Sequence, residues 1–555
     1  MPEFFPAFRP EKRKKPILFK NARIYDGLSE GLTQPQDVLV VGNLIQDVGE
    51  GISAENWGAV NVDCSDHTLM PGLIDMHSHL AIQEGMLEGR DQFDQMAMGA
   101  MCGQDCIDYL LQGFTTCRDA GGNVLGMARA INGGRIPGPR IFACGAFLSQ
   151  TGGHGDTGCC FDQPGDADAL ERSGFSHIVD GRPEMLKAAR NNLRNGATQL
   201  KIMAGGGCAS AFDPIHVTQF TEDEMRAAVD VARDYGTYVM AHAYHDSSIN
   251  RCLDAGVRCI EHGFLMSEST MKRIADEGAA MCLQSCMSLE AFAEPEKITF
   301  FSKDQKKKAA KVASGAKQMM EFVRKYKPLT ISGGDMFGAS AQHRQADNVI
   351  TLVTLGGFSA AEALRSATGD AGKVLAWSGG MNPYKDGPLG IVAKGAYADI
   401  IIVDGSPLDD ITCLRRDHVR VVVKDGICYK YTLSPGRADL DALTPSVLSS
   451  GSGCEVLVTV ALLSLAHEIV LRLQFGFTSV KQEEESDEDS NQQISADKVR
   501  TSSSSSAKDL PQMFKAQQEQ SEEQSLPDEA ESEELSLQWQ HNLMLTLRWI
   551  SALSK

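Results

Sequence analysis

Two imidazoles, His77 and His79, stand two residues apart where an apolar run ends in M-P-G-L-I-D-M-H-S-H-L, residues 70–80. On a β-strand that spacing puts both side chains on one face, which is how two ring nitrogens reach a single metal ion. Taken alone, such a pair is more often two solvated or core-satisfied histidines. Further donors at matching places decide between the readings. Four are present: Lys201 ends A-T-Q-L-K, His242 ends T-Y-V-M-A-H, His262 ends R-C-I-E-H, and Asp335 ends L-T-I-S-G-G-D. Each closes a strand-like run.

The segments between these runs carry a helical period. Over 222–235, Met225, Ala228, Val229 and Ala232 recur at i, i+3, i+4 and i+7, which predicts an amphipathic helix. Strands alternating with such helices describe βα units and a parallel barrel, an α/β fold of the (β/α)8 TIM type. In such barrels the reactive side chains gather at the carboxyl ends of the strands. Both flanks of the barrel read as β-structure. I-L-F-K-N-A-R-I-Y-D-G and D-V-L-V-V-G-N-L-I-Q-D-V-G precede it, while A-D-I-I-I-V-D-G and V-R-V-V-V-K-D-G-I-C-Y-K follow it, with Asp-Gly and Gly-Asn turn signals. The expected layout is a barrel over 69–380 and a small composite β-sandwich from 17–68 and 381–435.

The ordered motifs resemble the amidohydrolase superfamily of metal-dependent hydrolases, in the imidazolonepropionase-like branch that includes Xaa-Pro dipeptidases and ochratoxin amidase. Beyond P-G-L-I-D-M-H-S-H they are T-T-C-R-D-A-G-G (115–122), S-Q-T-G-G-H-G-D (149–156), K-I-M-A-G-G-G (201–207), A-H-A-Y (241–244), I-E-H-G (260–263), G-G-D (333–335) and the A-D-I-I-I-V-D-G-x-P-L-D-D-I run to 411. The likeness extends from about residue 17 to about 432.

The resemblance implies hydrolysis of a C–N amide bond, of a dipeptide or N-acyl amino acid type, by a metal-bridging hydroxide. A pair of divalent ions about 3.5–4 Å apart activates water and polarises the carbonyl. His77 and His79, with Asp335, would hold the more buried ion, and His242 and His262 the second. Imidazole and carboxylate ligands suit Zn best. A protonated lysine among metal ligands is electrostatically unreasonable, since an ammonium repels the cations. The resemblance implies that Lys201 is N6-carboxylated, so that its anionic end bridges both ions. Asp335 would ligate one ion and carry the proton from the water to the leaving nitrogen. Two substrate contacts are implied: His154 in the Gly-rich loop T-G-G-H-G-D, as a donor to a substrate carbonyl or carboxylate, and the hydroxyl of Tyr244. His245 alternates to the other face. Asp119 matches a supporting position rather than a catalytic one. Relatives usually read G-T-D where this chain has G-G-D, so a hydroxyl is missing beside Asp335. Opening of a cyclic amide, or deamination, is available to the same centre. A ligand-poor structural relative is disfavoured by the complete set of donors.

Composition bounds the remaining classes. The net charge is −20 over 555 residues, but residues 481–540 alone hold 5 Lys or Arg against 16 Asp or Glu, so the catalytic part is only mildly acidic and carries no nucleic-acid footprint. The 15 cysteines follow no metal-site or disulfide spacing, which favours reduced thiols in a cytoplasmic protein. Cys159 and Cys160 fall in a loop near the expected site. The apolar run at 456–466 is short of a membrane span, so no membrane association is expected. Residues 481–533, rich in Ser, Glu, Gln and Asp, cannot bury enough apolar area to offset ordering entropy, and the 440–555 tail is expected to be mostly disordered. Leu535, Trp539, Leu543 and Leu547 step by four towards a short terminal helix. The expected partner is a small amide substrate. Relatives of this kind commonly form homo-oligomers, and the same is expected here.

Overall fold

The computed structural model describes residues 15–434 and 438, apart from 54, 84–93 and 337. The expectations for the acidic tail, the 456–466 run and the terminal helix lie outside the described residues. Among the described residues no helix is long and apolar enough to cross a membrane.

Alternating strands and helices produce two parallel sheets. One has three strands in the order Leu73–Ser78, Phe114–Asp119, Arg140–Ala143. The other has seven, in the order Ser176–Ile178, Phe147–Ser149, Leu200–Met203, Val239–Ala243, Cys259–His262, Ala280–Leu283, Leu329–Ser332. Single backbone hydrogen bonds link them. Thr198 donates to the Ala143 carbonyl at 2.8 Å, and Asp335, just past the last strand, donates to the His77 carbonyl at 2.7 Å. Between the strands a core packs Ile74, Met76, Phe142, Met240, Cys282 and Ile331.

The expected helix over 222–235 forms at Glu222–Asp234. Thr221 starts it through a capping box: its side chain accepts from the Glu224 N–H while the Glu224 carboxylate reaches back to the Thr221 N–H. The buried stripe is Met225, Ala227, Ala228, Val231 and Ala232. Its phase is rotated slightly from the sequence reading, which placed Val229 there. A second capping box, Ser302 with Gln305, opens the long helix Lys303–Tyr326.

The two flanks hydrogen-bond into one eight-stranded sheet that forks at Ile17–Ile24. Residues 17–20 of that strand pair in parallel with Val60–Asp63, and residues 23–24 with His67–Pro71. His67–Pro71 in turn pairs antiparallel with Ile400–Asp404, so the two ends of the domain share one ladder. The hairpin joining Val419–Lys424 to Ile427–Tyr431 turns at Asp425 and Gly426, both at positive φ (53° and 69°), the geometry that D-G turns favour. Ile17, Phe19, Val38, Val62, Ile400 and Val421 contribute to a core drawn from both arms of the fork.

A buried charge cluster fastens this sheet to the parallel strands. Arg140, the first residue of its strand, donates to the carboxylates of Asp399 and Asp425, and its guanidinium lies 4.3 Å from the centre of the Tyr397 ring. Arg140 and Asp399 are almost fully buried. Removing one member of such a cluster leaves charge without a partner, which typically costs about 3–5 kcal/mol. Arg140→Met is therefore expected to lower stability by about 3 kcal/mol in urea denaturation. A change below about 0.5 kcal/mol, the scale of a neutral surface substitution, would show that the cluster does not fasten the sheets.

Candidate active site

Strand ends and the turns that follow them bring the expected residues together. His77, His79, His154, Lys201, His242, Tyr244, His262 and Asp335 all line one cavity of about 780 Å³. A neighbouring cavity of about 1490 Å³ lies under the 151–194 segment and shares Asp156, Thr157 and Phe212 with the first, but none of the expected metal ligands lines it. The chemistry belongs to the smaller cavity.

Asp335 is the hub. Its Oδ1 lies 3.1 Å from His79 Nε2 and 3.5 Å from His77 Nε2, and its Oδ2 lies 3.9 Å from His262 Nδ1. His77, His262 and Asp335 each offer a ligand atom within 4.8 Å of the others. The second pair sits alongside: the His242 and His262 rings are 4.6 Å apart between centroids, and His77 and His262 are 5.0 Å apart. Lys201, 1% exposed, is the second residue of its strand rather than the last, so its long side chain reaches the centre from one level below.

Two of these residues occupy the left-handed backbone region, His262 at φ 74° and Asp335 at φ 53°. Such conformations cost of order 1–3 kcal/mol and persist where the surroundings over-determine them. At position 262 the turn has a visible purpose. Adjacent strand residues ordinarily face opposite sides of a sheet, yet Glu261 contacts His77 at 2.6 Å while His262 faces Asp335.

Electrostatics favour the protonation states a cation requires at every donor except His79. Burial, reinforced by the Lys201 charge, holds His77 well below the usual imidazole range. Burial likewise depresses His242 and His262, with added repulsion from neighbouring histidines. Burial also pulls at His79, but its hydrogen bond to Asp335 outweighs that and raises it. Burial pushes the Asp335 carboxyl up, and the facing His77, His79 and Lys201 overcome this, so it is held below the usual carboxylate range. Lys201 is pulled down by burial against the attraction of Glu261 and Asp335, which favours the neutral amine that reacts with CO2.

These residues fit a divalent ion. Among the described residues the buried Nδ1 of His262 has no hydrogen-bond partner, an arrangement that costs desolvation energy and that a bound cation would relieve. The Nδ1 atoms of His77 and His79 face acceptors, the Glu261 carboxylate at 2.6 Å and the Gly121 carbonyl at 3.2 Å. In the neutral rings that leaves both lone pairs on Nε2, on the Asp335 side. On His242 the roles reverse: Nε2 lies 3.2 Å from the Gly206 carbonyl, so Nδ1 is the lone-pair nitrogen of the neutral ring.

His154 stacks on His242 with ring centroids 4.3 Å apart. Gly207 permits this, because a Cβ there would fall 2.0 Å from the His154 ring. The Ser210 hydroxyl donates to Asp213, so at 2.7 Å it must accept from His154 Nδ1. The neutral His154 ring therefore presents Nε2 as an acceptor. The donor role read from the sequence requires the imidazolium form, which burial disfavours. Tyr244 packs 4.8 Å from His242 and 5.5 Å from His262 between ring centroids, with its hydroxyl 4.0 Å from Cys208 Sγ. Burial raises the phenol well above its ordinary range, so it remains a donor. His245 opens the next helix, Asp246–Ala255.

The G-G-D departure has a steric counterpart. A Cβ at Gly334 would lie 2.2 Å from the Gln345 Oε1, so the buried Gln345 amide takes the room a side chain would need. Asp119 accepts from the Leu80 and Gly121 N–H groups at 3.0 and 3.1 Å and ties the second strand to the His79 turn. Asp75 does the same between strands, accepting from the N–H groups of His77 and Gly334 at 2.9 Å each and from Tyr109 at 3.1 Å. Sequence reasoning passed over Asp75, Arg118 and Glu261, although each lies in a quoted motif. Their signal was a charged residue inside an otherwise apolar strand, which burial makes costly unless it is paired. Cys144, Cys259 and Cys282 are buried free thiols, while Cys159 and Cys160 are exposed.

Comparison with known proteins agrees with this geometry. The sequence profile of the Amidohydrolase family matches residues 68–428. Ochratoxinase of Aspergillus niger is 28% identical over 364 residues, covering 62% of this chain and 71% of that protein. Among solved structures, a prolidase complexed with N-methylphosphonate-L-proline superposes with a TM-score of 0.68 at 33% identity, over 75% of this chain and 100% of that one. A Xaa-Pro dipeptidase with methionine bound in its active site superposes with a TM-score of 0.66 at 30% identity, again over 75% and 100%. Profile, relatives and strand-end donors agree, and the chain belongs to the amidohydrolase family, as a hydrolase acting on carbon–nitrogen bonds.

Proposed function

We propose that the protein hydrolyses a linear amide, a dipeptide or an N-acyl amino acid, at a dinuclear metal centre, with the parallel sheets acting as one (β/α)8 barrel around it. The observation that carries this reading is the convergence of His77, His79, Lys201, His242, His262 and Asp335 on one cavity. The named relatives, a prolidase, a Xaa-Pro dipeptidase and ochratoxinase, support the substrate class. So does the lining. Phe147, Phe175, Met203, Met287, Phe292 and Phe301 surround the polar centre, which suits an apolar side chain or acyl group.

His77, His79 and Asp335 would hold one ion and His242 and His262 the other, with carboxylated Lys201 between them, and zinc suits this donor set best. When bound, such ions supply a water of lowered pKa and a Lewis acid for the carbonyl. The protein's own groups do the rest. Asp335, held below the usual carboxylate range, accepts the proton of the attacking water and delivers it to the departing nitrogen. Tyr244, held as a phenol, donates to the carbonyl oxygen as charge develops there. His154, fixed by Ser210, turns its second nitrogen to the substrate and sets its orientation.

Three measurements test this. Zinc-reconstituted protein screened against dipeptides, N-acyl amino acids and cyclic imides, with mass detection, is expected to release an amine from the linear amides; turnover of the cyclic imides alone would overturn the linear-amide assignment. Asp335→Asn should keep the fold and much of the metal while kcat falls by roughly 10²–10⁴-fold, the usual contribution of a proton-transfer group; near-normal kcat would remove Asp335 from the proton path. Incubation with isotopically labelled bicarbonate should give a carbamate carbon resonance in the wild type that disappears in Lys201→Ala. The same resonance in both proteins would place the modification elsewhere.

A further inference from the structure

Beneath His77 lies a buried ion pair that no step of the proposed reaction uses. Glu261 and Arg118 are both 0% exposed. Glu261 Oε2 is 2.6 Å from His77 Nδ1, and its Oε1 accepts from Arg118 Nη2 at 2.7 Å and from the Cys259 thiol at 3.1 Å. Arg118 is anchored in turn, donating from Nε to the Met76 carbonyl at 2.7 Å and from Nη1 towards the Tyr238 hydroxyl at 3.3 Å. Two buried charges are expensive, and replacing such a pair with apolar side chains is often neutral or stabilising. The pair is therefore poorly explained as a stability device.

Its geometry offers another explanation. A carboxylate paired with a guanidinium can only accept, so the short contact at 2.6 Å requires His77 Nδ1 to carry the hydrogen. The lone pair then falls on Nε2, the atom 3.5 Å from Asp335. The Gln284 amide nitrogen also approaches His77 Nδ1, but at 3.3 Å and uncharged, and it donates instead to Cys282 Sγ at 3.2 Å. The chain bends to make this possible: the left-handed turn at His262 lets Glu261 and His262 serve the same centre from consecutive positions.

We infer that Arg118 and Glu261 are positioning residues, which fix the tautomer and ring orientation of His77 so that its Nε2 is presented to a metal ion before the ion arrives. Outer partners of this kind typically contribute 10–100-fold to metal affinity. The inference rests on the proposed metal centre. It adds that the affinity of that centre depends on two residues that touch neither metal nor substrate.

Glu261→Gln is the direct probe. Arg118 would retain the amide oxygen, turning the NH2 group towards His77 Nδ1 and forcing the wrong tautomer. Because that variant also leaves a buried guanidinium without its countercharge, a charge-free companion, R118M/E261L, separates fold from positioning. Zinc affinity is measured by chelator competition on the full chain, coordination by the visible spectrum of the cobalt-loaded protein, and fold by the apo melting temperature. The expected result is a roughly 10–100-fold loss of affinity at one site in both variants, an altered cobalt spectrum, and an apo melting temperature for R118M/E261L close to wild type. Folded R118M/E261L with wild-type zinc affinity and an unchanged cobalt spectrum would overturn the inference, and so would a loss of zinc in E261Q that merely accompanies loss of the apo fold. Failure of the wild type itself to bind zinc or cobalt would instead overturn the metal centre.

Discussion

The site depends on one junction, where the turn after the last parallel strand meets the end of the first. The Asp335 N–H donates to the His77 carbonyl at 2.7 Å, and its carboxylate faces the His77 and His79 rings at 3.5 and 3.1 Å. Residues 258 positions apart in sequence are thus held within hydrogen-bonding distance by backbone as well as side chain. Asp75 reinforces the junction by accepting from His77 and Gly334 together. If the two strands separated by even about 1 Å, the donors would no longer share an ion, a precision that catalytic geometry commonly demands.

Around this junction the protein concentrates costly features. Two non-glycine residues sit at positive φ, an ion pair is fully buried, and the Nδ1 of His262 lacks a partner among the described residues. Each lowers stability unless something compensates, and the surrounding apolar core of Ile74, Met76, Met240 and Cys282 does so without relieving the strain locally. The flanking sheet contributes at the other end of the strands. It is tied in through Arg140 at the start of its strand, while the reactive residues lie at strand ends. The Arg140 cluster and the reactive residues thus lie at opposite ends of the strands.

Much of this was legible in the sequence. The H-x-H spacing and the donors at 201, 242, 262 and 335 are set by strand periodicity and strand ends, both of which leave a local pattern. The two flanking hairpins were readable because D-G and G-N turns are chemically distinctive. What the sequence concealed depends on distance in three dimensions. Nothing local says that Glu261 reaches His77 across 184 positions, or that the positive φ at His262 breaks the alternation that would have sent the His262 side chain away from the same centre. The hydrogen-bond direction at His154 was also hidden. It follows from Ser210 and Asp213, which lie 56 and 59 positions further on and carry no motif of their own. The run A-T-Q-L-K suggests that Lys201 closes its strand, yet it lies inside Leu200–Met203, because side-chain length can substitute for one residue of strand.

In the proposed function, residues from distant strands form one two-ion centre. Anomalous diffraction at the zinc edge from crystals of the zinc-loaded protein would locate those ions. A dinuclear centre gives two peaks roughly 3.5–4 Å apart, one among His77, His79 and Asp335 and the other beside His242 and His262, with density joining Lys201 to both. Zinc peaks only at other side chains, or continuous density for an unmodified Lys201 amine among the histidines, would contradict it.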